Sequence, residues 1–207
     1  MNASDVRIGF IGAGQMATAL GRGFVQAKSI TPDRLVACDV SADAANRFAA
    51  QTGGSIVSGA AAVLAQSSLI FLAVKPQQIA GVLAELKPGI TSQHLVVSIA
   101  AGISLAKLSA GLGSSRLIRV MPNTPALVGL GQTGLYARAS VTAADRLTIE
   151  RVLASTGQCT WVDAEPLLDA VTAISGSGPA YVFFFLETMI QTAIDMGLQP
   201  EQARQLA

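Results

Sequence analysis

The chain is poor in the residues that most readily mark a reactive site. Its 207 residues include one histidine, two cysteines, one tryptophan and only 13% charged side chains. Cys38 and Cys159 lie far apart, with no CxxC spacing and no histidine beside them, which excludes a zinc ligand set and a disulfide framework; no metal is expected. Both thiols are expected to be small, reduced core residues. His94 stands just before a strand-like run, where a turn or surface role fits better than catalysis. Fourteen Lys and Arg balance thirteen Asp and Glu without any basic cluster, so the field that gathers nucleic acid or an anionic membrane is missing. The longest apolar runs, LIFLAV from Leu69 and AYVFFFL from Ala180, fall short of the roughly 20 residues that span a bilayer. The opening MNASDVR also lacks the basic-then-apolar order of a signal peptide, so a cytoplasmic location is expected.

What is abundant is apolar sequence, 51% of the chain, enough for one sizeable core with a smaller unit attached. Short apolar runs alternate with segments of helical period, the pattern of a parallel sheet covered on both faces. Strands are predicted at Arg7–Ile11, Leu35–Asp39, Ser55–Val57, Leu69–Val74, Leu95–Ala100, Arg116–Val120, Thr133–Ala137 and Cys159–Val162. Helices are predicted from Gly14 to Ala27, from Ala42 to Gln51 with Ser41 as N-cap, and after Ser58, Pro76 and Ser104. Near Asp163 the strand signals stop. Residues 1–164 thus read as an α/β, doubly wound, mostly parallel sheet domain of Rossmann type, and 165–207 as the start of an all-helical domain. In the latter, Glu165–Thr172 reads as helix, SGSGP as an interruption, Pro179–Met196 as a long helix ended by Gly197, and Gln199-Pro-Glu as the opening of another. A helix so apolar around its circumference must pack on other helices or on a second subunit.

The first strand runs into Gly12-Ala13-Gly14-Gln15-Met16-Ala17 and then a helix. In that strand-turn-helix setting GxGxxA is a dinucleotide signature. Gly12 allows the tight turn, Gly14 lets backbone approach a pyrophosphate, and Ala17 lets helix pack close to strand; the phosphates meet the helix N-terminus. The plainer reading of the same string is a tight turn without a ligand. Asp39 ends the second strand, where a carboxylate could accept from ribose hydroxyls and would repel a 2′-phosphate, favouring NADH over NADPH. Ser41 could instead meet a phosphate oxygen, and both residues could simply begin the next helix. Lys75-Pro76 follows the buried LIFLAV, and either a ligand contact or a solvated lysine suits that place. Ile99, Ala100 and Ala101 close another strand with small residues. Met121-Pro122-Asn123-Thr124-Pro125 is a rigid loop at a strand's carboxyl end, more constrained than a connector requires.

With FIGAGQMA, FLAVKPQ, VVSIAAGIS, RVMPNTPALVGLG and DAVTAISGSGPAYVF in this order, the chain resembles pyrroline-5-carboxylate reductase over essentially its whole length. The resemblance implies a Rossmann domain followed by helices that intertwine with a partner, hence a homodimer or higher homo-oligomer. It also implies hydride transfer from NADH or NADPH to the imine carbon of 1-pyrroline-5-carboxylate, giving L-proline. By position it assigns the pyrophosphate to Ile11, Gly12, Ala13, Gly14, Gln15 and Met16, and the adenosine end to Asp39 and Ser41. The ribose and nicotinamide fall to Ala73, Val74, Lys75 and Pro76 with Ile99, Ala100 and Ala101. Met121, Pro122, Asn123 and Thr124 would line the nicotinamide pocket, while Glu165 with Ser175, Gly176, Ser177 and Gly178 would face the imino acid. No general acid is identified, and none is needed if the imine arrives protonated.

The chain departs from that family in three places. Members often carry Ser or Asn at the position of Asp39, and an Asn near Gly59-Ala60 that approaches adenine is absent here. The family continues beyond the position of Ala207 through further helices and a Ser-Pro-Gly-Gly-Thr loop that grips the substrate carboxylate, so the substrate side is expected to be incomplete in this polypeptide. A related 3-hydroxy acid dehydrogenase would need a catalytic lysine on the interdomain helix, and no lysine occurs between Asp163 and Ala207. A dinucleotide-binding module without catalysis is the alternative from another class.

Overall fold

The strands IGFI, LVAC, LIFL and LVVS are buried at every position, because helices cover both sides of the sheet they build. In the computed structural model, which describes residues 6–207, these are β1 (Ile8–Ile11), β2 (Leu35–Cys38), β4 (Leu69–Leu72) and β5 (Leu95–Ser98). Residues 1–5, part of the stretch read for a signal-peptide pattern, lie outside the described residues. With β3 (Ser55–Ile56), β6 (Leu117–Met121), β7 (Gly131–Ala137) and β8 (Gly157–Trp161) they form one eight-stranded sheet in the order β3-β2-β1-β4-β5-β6-β7-β8. Neighbours from β3 to β6 are parallel; β7 runs antiparallel to β6, and β8 runs parallel to β7. All eight predicted strands are present, with ends shifted by a residue or two. Asp39, Val74 and Ala100 lie just past their strands rather than within them.

Side-chain alternation divides the core between the two faces. Ile8, Phe10, Leu69 and Phe71 point to one, where α1 (Gln15–Gln26), α2 (Ala42–Thr52) and α6 (Ala143–Leu153) pack; the rings of Phe10 and Phe71 stack there at 5.0 Å, with Phe24 and Phe48 against them. Ile11, Ile70 and Leu72 point to the other, under α3 (Ala60–Gln66), α4 (Ile79–Leu86) and α5 (Leu105–Leu112). The predicted caps form: the Ser41 and Ser104 hydroxyls accept from the amides of Ala44 and Lys107. Helix α6 was not among the predicted elements. Its signal is the Thr142 N-cap, whose hydroxyl accepts the Asp145 amide, but Asp145 and Thr148 interrupt its buried apolar stripe.

After β8 the chain is helical: α7 (Leu167–Val171), a π-helical turn at Thr172–Gly176, α8 (Gly178–Asp195) and α9 (Pro200–Leu206). Ser175-Gly-Ser-Gly178 therefore does not interrupt the helix, as the sequence suggested. The backbone widens instead into π geometry, with the Ser177 amide donating to Thr172 O five residues back, and continues. Counted as one run, Leu167–Asp195 spans 29 residues and is long and apolar enough to cross a membrane by length and composition alone. The contiguous apolar strings are short because Thr, Ser, Gly and Gln punctuate them, and counting strings alone missed this. No residue of α8 is buried, and Tyr181, Phe183, Phe184 and Phe185 are each more than half exposed.

Candidate dinucleotide groove

The strand order reverses between β1 and β4, and a groove opens beyond the carboxyl ends of β1, β2 and β4, where ligands of open α/β sheets bind. Its volume is about 830 Å³. Of the residues expected to hold cofactor, Ile11, Gly12, Gly14, Asp39, Ser41, Ala73, Val74 and Lys75 line it. Lys75 is exposed there and takes part in neither of the two salt bridges among the described residues. Ala13 is fully buried behind the groove and contributes its amide. Met16, Ala73 and Ile99 pack partly against the core of the α1 side, and Ala100 against the opposite one.

The two glycines of the turn differ in what they allow. Gly12 has φ +95°, and a Cβ there would stand 2.6 Å from the backbone carbonyl oxygen of Ala73, so the fold itself requires glycine. Gly14 is the N-cap of α1 with φ −66°, open to any residue, and a Cβ there would meet no protein atom within 4 Å. Glycine at this position keeps space open toward the groove instead of serving the packing. No side chain caps α1, and its first turn carries no acid, which leaves its N-terminal amides and dipole to an external anion.

Asp39 reaches across the turn. Its Oδ2 accepts the Ala13 amide at 2.7 Å and its Oδ1 the Ser41 amide at 2.8 Å, which fixes the carboxylate where it lines the groove. The Cys38 thiol beside it is pushed up to about 11 by burial, with the Glu85 and Asp39 carboxylates adding to the rise against a lowering backbone bond from Gly12. It is inert as a nucleophile near neutral pH. Gly59 and Ala60, near which the resemblance set the approach to adenine, line the groove too, and sequence reasoning missed Val57, Gln78, Gly81, Val82 and Glu85 beside them. A signal existed, since 78, 81, 82 and 85 follow i, i+3, i+4, i+7 along α4 while Ile79, Leu83 and Leu86 form its buried stripe.

The residues expected on the substrate side form two clusters outside the groove. Asn123 is 7% exposed; its Nδ2 donates to Ser175 O and Oγ at 3.2 Å, and its Oδ1 accepts the Gln132 amide at 2.9 Å. A Cβ on Gly176 would touch the Met121 side chain at 3.1 Å, so the MPNTP loop lies directly against the π turn. Pro122 is buried and Thr124 exposed. Glu165 is elsewhere: its Oε1 accepts from Arg119 Nη1 at 2.8 Å and from the Leu105 amide, the first of α5, at 2.6 Å. It pins the start of the helical region to the sheet, and Arg119, which sequence reasoning passed over, is its buried partner. His94 Nδ1 accepts the Thr91 amide in a turn, as expected, and both cysteines are free. No group of three metal-ligating side chains occurs among the described residues.

Comparison with known proteins gives two family matches along the chain. Residues 7–102 match the family described as NADP oxidoreductase coenzyme F420-dependent, and residues 165–207 match pyrroline-5-carboxylate reductase dimerisation. Pyrroline-5-carboxylate reductase of Pseudomonas aeruginosa is 41% identical over 204 residues, 98% of this chain and 74% of that protein. Among solved structures, the Plasmodium falciparum pyrroline carboxylate reductase with NADP bound superposes with a TM-score of 0.89 at 32% identity, over 98% of this chain and 74% of that one. The Coxiella burnetii pyrroline-5-carboxylate reductase superposes with a TM-score of 0.87, also at 32% identity, over 97% of this chain and 75% of that one. On sheet, turn and sequence together, this chain belongs to the pyrroline-5-carboxylate reductase family.

Proposed function

We propose that the chain reduces 1-pyrroline-5-carboxylate to L-proline with a nicotinamide dinucleotide held in the groove at the strand-order reversal. The observation that carries this is Gly14: a glycine that neither backbone conformation nor packing requires, at an uncapped helix N-terminus facing a large open groove. The bound cofactor would supply the hydride to the imine carbon. The chain's part is to receive the pyrophosphate on the amides of 14–16 and to hold the ribose against Asp39. Lys75 lies exposed along the groove beyond Val74. No side chain is assigned as proton donor, since a protonated imine needs only orientation.

Our reading further favours NADH over NADPH, although the Plasmodium relative holds NADP. Both Asp39 oxygens are fixed by backbone amides, so the carboxylate cannot readily turn aside from a 2′-phosphate. We assign residues 1–164 to the dinucleotide domain and 165–207 to the helical one, with Met121–Thr124, Glu165 and Ser175–Gly178 toward the substrate. The exposed α8 would be covered by a second copy, giving a homodimer or higher homo-oligomer in the cytoplasm, rather than by lipid; the match of 165–207 to a dimerisation region supports this.

The test is oxidation of NADH and NADPH followed by absorbance, with and without pyrroline-5-carboxylate, alongside direct titration of each dinucleotide. Oxidation that depends on the imino acid is the expected result. Binding without turnover, by this chain and by one extended to the family's usual length, would favour a non-catalytic module; turnover by the extended chain alone would keep the reductase reading and place the missing substrate contacts downstream; and binding of neither dinucleotide would overturn the reading. Asp39→Ser should lower the NADH-to-NADPH affinity ratio; an unchanged ratio removes the carboxylate argument.

A further inference from the structure

The far end of the groove has a composition that the dinucleotide assignment alone does not explain. Val57 and Val82, both packed on the core under α3, α4 and α5, line it together with Val40, which is 94% exposed. Gly81 stands within α4, an element whose interior disfavours glycine. A Cβ there would meet nothing within 4 Å, so packing does not account for it, and its lack of a side chain leaves that part of the lining open. Glu85, exposed, lines the same groove. Its Oε1 accepts the Ala60 amide at 2.9 Å and the Ala61 amide at 3.4 Å, across 25 residues of sequence. Oε2 has no hydrogen-bond partner among the described residues, and Glu85 lines the groove.

We infer that Glu85 is the residue that reads the base of the dinucleotide, its Oε2 accepting from the exocyclic amino group of adenine held against Val57 and Val82. This deepens the dinucleotide assignment and rests on it. Apolar side chains such as Val57 and Val82 accept any flat ring, so they provide affinity without choice. A fixed carboxylate oxygen accepts only from a donor. It welcomes an amino group, and a purine without one gives it no hydrogen at that position. Because the Ala60 and Ala61 amides hold Oε1, the side chain is oriented before ligand arrives.

The measurement is the dissociation constant of NADH and of the reduced nicotinamide purine dinucleotide, which carries hydrogen in place of the amino group, for the wild-type chain and for Glu85→Gln. Wild type should prefer NADH by about tenfold or more, the scale of a hydrogen bond to a charged group. Glu85→Gln can keep an oxygen on the Ala60 amide while turning its NH₂ toward the base, so the preference should fall to within about threefold or reverse. A side chain that only caps α3 would leave the ratio unmoved, and that result overturns the inference. Equal binding of the two dinucleotides by wild type overturns it without any variant, which covers the case in which Glu85→Gln does not fold. Failure of wild type to bind either one would instead defeat the dinucleotide assignment.

Discussion

Helices α1 and α8 are both apolar, yet the chain completes only one of them. Six of the twelve residues of α1 are buried, Phe24 fully so, and its uncapped N-terminus faces the groove. Helix α8 has eighteen residues and buries none, with Phe184 73% and Phe185 64% exposed. The first helix derives its stability from the sheet beneath it; the second carries apolar surface that no described residue covers. Burial therefore separates the helix that the sheet completes from the helix that it does not.

The largest effects should come from exchanging the demands on the two helices. Phe184→Asp with Phe185→Asp should weaken self-association about 10³-fold, since each phenylalanine contributes roughly 1.5–3 kcal/mol when covered, and should leave the thermal transition of the sheet domain nearly in place. Analytical ultracentrifugation reads the first and calorimetry the second. Phe24→Ala should do the reverse, costing about 3–5 kcal/mol of folding stability through the cavity it leaves beside Phe10 and Phe71. Collapse of the sheet domain in the α8 variant would mean that the two regions fold as one and that the comparison fails.

The glycine turn permits a finer contrast within α1's own entry. Gly14→Val should weaken dinucleotide binding about 100-fold while leaving the melting temperature almost unchanged, because nothing in the protein opposes the new side chain. Gly12→Ala should lower the melting temperature as well, since it combines a positive φ with a contact on Ala73 O. Loss of stability from both variants would make Gly14 a structural glycine and remove the main support for the groove assignment.

Most of the sheet could be read from the chain because buried parallel strands are short, uninterrupted apolar runs, and each of LIFL and LVVS announces itself. Helix α6 could not, since Asp145 lies buried where the pattern calls for an apolar residue and is neutralised by Arg116, a partner 29 residues away. Half the groove was legible through Gly12, Gly14 and Asp39, whose roles are local to a turn. The rest comes from α4 and from the turn that leads into α3, and the α4 face becomes meaningful only once β4 is placed beside β1. Glu165 shows the same limit: a carboxylate at the start of a helical segment gives no sign that Arg119 and the Leu105 amide hold it.

The Arg116–Asp145 pair has a pH dependence whose sign follows from its geometry. Arg116 donates from Nε and Nη2 to Asp145 at 3.0 and 2.6 Å, and from Nη1 to Ser92 O and Gln93 O, tying α6 to the turn before β5. The guanidinium bonds hold the Asp145 carboxyl below its ordinary 3.8, against the opposing effect of burial. A depressed folded value means that this stabilisation is fully present above the ordinary carboxylate range and is lost as pH falls through the folded value. Asp145→Asn should cost about 2 kcal/mol near neutral pH, and the gap from wild type should narrow below pH ~4. Equal gaps at both pH values in denaturant melts would place the cost in packing rather than charge.

The smallest expected effect lies where the two regions meet. Asn123 joins the loop after β6, the first residues of β7 and the π turn, and its three bonds reach Ser175 and Gln132. Asn123→Ala should cost about 1–2 kcal/mol, because the Gln132 amide loses its acceptor in a largely buried place. Most of that loss should be local, and hydrogen exchange is the measurement that sees it: amides of 172–178 should exchange faster while those of β1 and β4 hold their protection. If β1 and β4 loosen equally, the joint is part of the sheet's cooperative unit, and the boundary between the region the chain completes and the region a partner completes lies beyond the π turn, within α8 itself.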